Sequence, residues 1–213
     1  MSVAVQGSLF DHSERRDLGS GAWVEMRSGW VEDPDGLFDE LLAAVAWRAE
    51  RRQMYDRVLD VPRLVSFCDL TAAPAPHPAV TRLRRRLNDI YAGELGEPFT
   101  TAGFCLYRDG SDSVAWHGDR VGLPRSSLGG IADSGAGRSS TEDTMIAIVS
   151  LGATRLFAMR PRGGGPSLRL PQSHGDLLVM GGSCQRTWEH AVPKTATAIG
   201  PRISIQFRPR GVR

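Results

Sequence analysis

A chain of 213 residues, 41% hydrophobic and 23% charged, has the composition of one globular domain that can bury its own core, which excludes wholesale disorder. Its formal charge of +2 permits a polyanionic partner without requiring one. Lys194 is the one lysine, so the abundance of arginine reads first as codon usage in a GC-rich genome and says little about nucleic acid. Cys68, Cys105 and Cys184 form no CxxC pair, which argues against a disulfide scaffold and a cysteine zinc site. Met1 to Leu18 lacks the basic-then-apolar run of a signal peptide, and no apolar stretch approaches the roughly eighteen residues of a membrane span. A cytoplasmic protein, monomeric and without a membrane partner, is expected.

Residues 1–32 are polar and glycine-bearing, with scattered Phe10, Trp23 and Trp30, and read as an extended N-terminal arm before a domain spanning 33–213. Asp33-Pro34 supplies an N-cap and a first-turn proline. Leu37, Phe38, Leu41, Leu42, Val45 and Ala46 follow at helical spacing, and the pattern ends in basic Arg48, Arg51 and Arg52. Val58 to Asp69 reads as extended, and Pro74, Pro76 and Pro78 make a linker. Val80, Leu83, Leu87, Ile90 and Tyr91 mark a second helix whose outer face carries Arg82, Arg84, Arg85 and Arg86.

Short β-branched runs punctuated by glycine come next: 101–107, 113–119, 145–151, 155–160, 167–170, 176–180 and 202–208. Gly122 to Ser140 is rich in Gly and Ser and poor in apolar residues, and is expected to be a mobile loop. Helices first and many short strands after predict an α+β, mainly β fold, with N-terminal helices packed on one face of an antiparallel sandwich or jelly roll.

His117-Gly118-Asp119 ends one of the strand-like runs. Residues i and i+2 of a strand share a face, so an imidazole and a carboxylate can share a cation there. A downstream histidine would complete a two-His, one-carboxylate facial triad, whose open positions suit non-haem iron. His190, after a Gly181-Gly182 turn, is the better third ligand. Its competitor His174 precedes Gly175-Asp176, where a turn begins, and is expected to face solvent or support that turn. His12 and His77 lie in the arm and the linker and have no assigned role.

Arg202 and Arg208 lie six residues apart on the last strand, an even offset that puts both on one face with Ser204 and Gln206. Ile203, Ile205 and Phe207 take the other face, expected to pack into the sandwich. Two inward arginines are costly unless paired with anions, and a dicarboxylate supplies two carboxylates that match the guanidinium fork.

Together these residues resemble the AlkB family of dioxygenases. The resemblance is carried by the run from Tyr107 to His117-Gly118-Asp119, by Ile148 to Gly152, by Gly175 to Gly182 followed by His190, and by Arg202 to Arg208. It covers roughly Val58 to Arg210 and implies a double-stranded β-helix that uses Fe(II), 2-oxoglutarate and O2. It implies that His117, Asp119 and His190 bind iron, and that Tyr107, Arg202 and Ser204 hold 2-oxoglutarate with Arg208 near its iron-chelating carboxylate. Arg63, Phe67, Trp116 and Arg120 would contact a nucleotide, an aromatic stacking on a flipped base. The implied activity is oxidative demethylation of alkylated DNA or RNA, more readily single-stranded, yielding succinate, CO2 and formaldehyde.

Three departures bear on that reading. Cys105 stands where the family often has Asn, Arg120 and Val121 follow the HxD where well-studied members carry an acidic residue, and the loop 122–140 is longer than usual. They leave the iron chemistry intact and bear on base preference. The alternatives are a dioxygenase of the same fold acting on a protein or small molecule, and a non-catalytic nucleic-acid-binding relative.

Overall fold

In the computed structural model, which describes residues 13–54, 57–119 and 143–212, the chain opens on a hairpin. Strands β1 (Ser13–Gly19) and β2 (Ala22–Arg27) are joined through Gly19, Ser20 and Gly21, all at positive φ, where glycine costs no strain. β2 pairs antiparallel with β10 (Leu177–Gly182). The expectation of an arm is therefore corrected: these residues form one edge of a sheet. Ala22 and Val24 are buried, and the buried Glu25 carboxylate accepts hydrogen bonds from Arg15, Arg27 and the Tyr91 hydroxyl. A run this short and this charged carries no strand signal of its own; pairing with a strand from the far end of the chain creates it.

Helix α1 (Pro34–Ala44) starts as its sequence dictates, with the Asp33 carboxylate accepting from the Gly36 N–H and with Leu37 and Leu41 buried. It ends earlier than the arginines suggested. Val45 is extended, and Arg48–Met54 forms strand β3, paired with β4 (Arg57–Asp69). Helix α2 (Pro78–Ile90) is capped by the His77 imidazole, which accepts from the Ala79 N–H, and it buries Val80, Leu83 and Leu87.

The remaining strands are β5 (Thr101–Tyr107), β6 (Val114–His117), β7 (Ile146–Gly152), β8 (Arg155–Pro161), β9 (Leu168–Gln172), β11 (Trp188–Val192) and β12 (Arg202–Arg208), with a one-turn helix α3 (Cys184–Thr187) before β11. The major sheet runs β1-β2-β10-β7-β12-β5-β4-β3 and the minor sheet β6-β11-β8-β9. The central strands of the major sheet facing the minor sheet make the jelly roll. The loop 122–140 lies outside the described residues.

Both faces of the major sheet are covered, so its central strands are buried twice over. Ile146, Ile148, Leu178 and Met180 pack between the sheets, while Ala147, Val149, Leu177 and Val179 pack with the helices. Ile203, Ile205 and Phe207 belong to the helix layer, not to the sandwich interior as expected, because the helices close that outer face. Each such side chain contributes about 1.5–3 kcal/mol of burial. The opposite row of β12, with Arg202, Ser204 and Gln206 also buried, is thereby fixed toward the space between the sheets.

Candidate iron and 2-oxoglutarate site

β6 and β11 are antiparallel partners, and His117 lies directly opposite His190. Directly opposed residues share a face, so the two imidazoles meet with ring centroids 4.3 Å apart. Asp119 follows just past the end of β6, its carboxylate 3.9 Å from His117 Nε2. Ligand atoms of the three residues all lie within 4.8 Å of one another, close enough to share one cation.

The surroundings prepare each ligand. The Ala115 carbonyl lies 2.8 Å from His117 Nδ1 and can only accept, so Nδ1 donates to it and Nε2 is the nitrogen turned toward Asp119. His190 stacks on Phe157 and is buried, and burial lowers its pKa to about 3, leaving a neutral imidazole at pH 7. Burial alone would raise the Asp119 carboxyl. The Arg208 guanidinium and the two imidazoles outweigh it and hold the group at about 2. Arg208 grips both carboxylate oxygens, Nε to Oδ2 at 3.2 Å and a terminal nitrogen to Oδ1 at 3.4 Å.

Two residues that the sequence did not mark complete this frame. The Asp119 N–H donates to Gln185 Oε1 at 3.0 Å, from the short α3. Gly118 lies against Arg162 and the Gln185 carbonyl: a Cβ there would collide with an Arg162 nitrogen and lie 3.0 Å from that carbonyl. Neither Gln185 nor Arg162 sits in a motif or a periodic run, so only the fold brings them to the centre.

Beside this cluster of three, a cavity is lined by Tyr107, Cys105, Arg63, Arg202, Ser204 and Gln206. Arg202 is 1% exposed, and one terminal nitrogen donates to Ser150 Oγ at 2.7 Å. Its Nε and other terminal nitrogen have no partner among the described residues. A buried guanidinium with two unmet donors is costly unless an anion joins it, which is the demand that a carboxylate of 2-oxoglutarate meets. Burial pushes the Tyr107 phenol up to about 12, so it stays a hydroxyl donor beside Arg202. Ser204 Oγ accepts from the Gln206 amide at 2.5 Å.

Arg63 lines this same cavity; its Nε donates to Cys105 Sγ at 3.3 Å and a terminal nitrogen to the Ser113 carbonyl at 3.2 Å. Phe67 lies four residues further along β4, on the same face by alternation, opposite Gly103 and 53% exposed. Trp116 is not brought to the cavity. The alternation that turns His117 inward turns Trp116 outward, where Arg160 stacks on its ring at 4.3 Å and pairs with Glu189. Arg120 lies outside the described residues, as does His12. His174 supports its turn as expected, accepting from the Gly152 N–H at 2.7 Å and reaching Asp35 at 3.0 Å.

A facing pair of histidines, a forked aspartate and an anion-seeking arginine on a jelly roll define the class, a non-haem iron oxygenase with a carboxylate co-substrate. A family model described as the 2OG-Fe(II) oxygenase superfamily matches residues 35–208, and the chain belongs to that superfamily, whose cofactors are Fe(II), 2-oxoglutarate and O2. Its curated relatives are AlkB homologues. The alpha-ketoglutarate-dependent dioxygenase alkB homolog 3 of Homo sapiens is 30% identical over 205 residues, covering 85% of this chain and 65% of that protein. The DNA oxidative demethylase ALKBH2 of Arabidopsis thaliana is 32% identical over 250 residues, covering 97% of this chain and 73% of that protein. The chain thus spans just under two thirds of the length of the alkB homolog 3 relatives. Among solved structures, a prolyl hydroxylase in complex with a hypoxia inducible factor peptide from Trichoplax adhaerens shares the fold, with a TM-score of 0.59 at 10% identity, covering 88% and 83% of the two chains. No helix among the described residues is long and apolar enough to cross a membrane.

Proposed function

We propose that this protein oxidatively removes alkyl groups from nitrogen atoms of bases in DNA or RNA. The observation that carries the reading is the conjunction of the His117, Asp119 and His190 cluster with relatives named as DNA oxidative demethylases. When bound together, Fe(II), 2-oxoglutarate and O2 supply hydroxylation of the alkyl carbon, which then leaves the nitrogen as an aldehyde, with succinate and CO2 as co-products.

The chain's own residues bind and orient. His117, Asp119 and His190 hold the metal; Arg208 keeps Asp119 ionised and fixed. Arg202, with Tyr107 and Ser204, takes the distal carboxylate of 2-oxoglutarate, and the unmet donors of Arg202 support this end over the other. Arg63 contacts the inner edge of the substrate site next to the co-substrate, while exposed Phe67 on the same strand offers a face on which an extruded base stacks. Single-stranded substrate is favoured because extrusion from a duplex costs unstacking and unpairing.

The test is incubation with Fe(II), 2-oxoglutarate and a panel of methylated oligonucleotides, following loss of one methyl mass per product. Succinate formation coupled to no oligonucleotide in the panel, but to a peptide or small molecule, sinks the reading in favour of another substrate of the same fold.

A further inference from the structure

Tyr107 is flanked by two guanidinium groups. Arg202 lies 5.2 Å from its ring centroid and Arg155 lies 5.4 Å from it. Arg202 reaches the cavity, but Arg155 does not line it. Arg155 is 3% exposed, and its hydrogen-bond partners among the described residues are three backbone carbonyls: Asp109 at 2.9 Å, Asp112 at 2.8 Å and Pro193 at 2.7 Å. Asp112, the nearby buried carboxylate, is already engaged by the Arg108 backbone N–H and guanidinium. A buried cation satisfied by carbonyls alone is an expensive way to hold a loop, since an apolar side chain could pack there at lower desolvation cost.

The three carbonyls belong to two segments that matter. Asp109 and Asp112 lie in the connection between Tyr107 and β6, which carries His117. Pro193 directly follows β11, which carries His190. One guanidinium therefore fastens together the segment that leads into the His117 strand and the segment that leaves the His190 strand, and rests against Tyr107, which lines the cavity.

We propose that Arg155 is a positioning residue for 2-oxoglutarate, acting through Tyr107: it closes the 109–112 turn against Pro193 and so sets where the phenol hydroxyl meets the distal carboxylate. This rests on the assignment of Tyr107 and Arg202 to that carboxylate. Its sign in binding is coupling. Removing Arg155 and removing the Tyr107 hydroxyl disable the same contact, so the second loss adds little to the first.

The test is anaerobic titration calorimetry of 2-oxoglutarate into the Fe(II)-loaded protein for wild type, Arg155→Met, Tyr107→Phe, the double variant and Arg202→Met, with iron affinity measured in parallel. Arg155→Met is expected to weaken 2-oxoglutarate about tenfold, the range seen for groups that orient a ligand's direct partner, with iron affinity within about twofold of wild type. The double variant is expected to fall within about threefold of the weaker single variant, where independent effects would multiply to about a hundredfold. Wild-type affinity in Arg155→Met beside a large loss in Arg202→Met overturns the proposal alone, as does a multiplicative double variant. Unchanged affinity in Arg202→Met overturns the pocket assignment and the proposal with it. If Arg155→Met does not fold, Arg155→Lys decides: it keeps the charge but lacks the fork that spans both segments, and wild-type affinity in it removes the positioning role. Amide exchange of residues 110–113 in the 2-oxoglutarate-free protein, expected to quicken in Arg155→Lys, reads the turn directly.

Discussion

His117 and His190 are direct cross-strand partners, paired between β6 and β11 with their rings 4.3 Å apart. Two imidazoles far apart in the chain thus meet on one face, and Asp119, just past the end of β6, brings a carboxylate to the same point, so that the three could hold one metal ion. β6 is the edge strand of the minor sheet and is held by β11 on one side only, so a cation bound by the three residues would tie these two strands together.

His117→Ala, Asp119→Ala and His190→Ala are each expected to abolish 2-oxoglutarate turnover while the β-sheet circular dichroism persists. His174→Ala should retain activity and lose about 1 kcal/mol of stability, because its imidazole accepts only the Gly152 N–H and faces Asp35. Activity surviving in His190→Ala but not in His174→Ala would show the wrong histidine had been assigned.

Arg202→Ala removes the fully buried guanidinium proposed to take the co-substrate's distal carboxylate. The expected loss of 2-oxoglutarate affinity is about 2–5 kcal/mol, as for truncating one side of a buried charge pair. N-oxalylglycine should weaken in parallel in the same titration. An unchanged dissociation constant would leave the two unmet donors of Arg202 without an anion to explain them.

Phe67 and Trp116 are the two aromatics that the sequence offers as nucleotide contacts, and the fold puts them in different surroundings. Phe67→Ala should raise KM for a methylated oligonucleotide by about ten- to a hundredfold, the worth of one stacked base, with 2-oxoglutarate affinity unchanged. Trp116→Ala should leave KM within experimental error, since that ring packs under Arg160 on the outer face. Steady-state kinetics with one substrate distinguishes them, and the reverse ranking would mean that the nucleotide lies across the minor sheet.

Acid should destabilise the metal-free protein through His190. Its pKa is about 3 folded, against about 6.5 unfolded, so between those values the unfolded chain binds a proton that the folded one refuses. Stability therefore falls as pH drops below about 6.5, by about 2 kcal/mol at pH 5 relative to pH 7. Above pH 7 both states are neutral at this residue and it contributes no slope. Urea midpoints of the metal-free protein at the two pH values check this, and His190→Gln should flatten the difference.

The sequence marked the candidate residues whose signals are local. An i, i+2 pair such as His117 and Asp119, or an even run such as Arg202, Ser204 and Arg208, needs only the two-residue period of a strand to place its side chains together. The boundaries of β5 and β12, and the caps of α1 at Asp33 and Pro34, follow from the same short-range rules. What lacked a local signature was decided by tertiary structure. The β1–β2 hairpin is a strand pair because β10 offers it an edge, and β3 is a strand because β4 does. Trp116 is the exception that the sequence could have settled, since the alternation that turns His117 inward turns its neighbour outward. Gln185, Arg162 and Arg155 lie in a short helix or at the ends of a strand, where no period links position in the chain to position in space; only packing of the two sheets brings their hydrogen-bonding groups to atoms that need them.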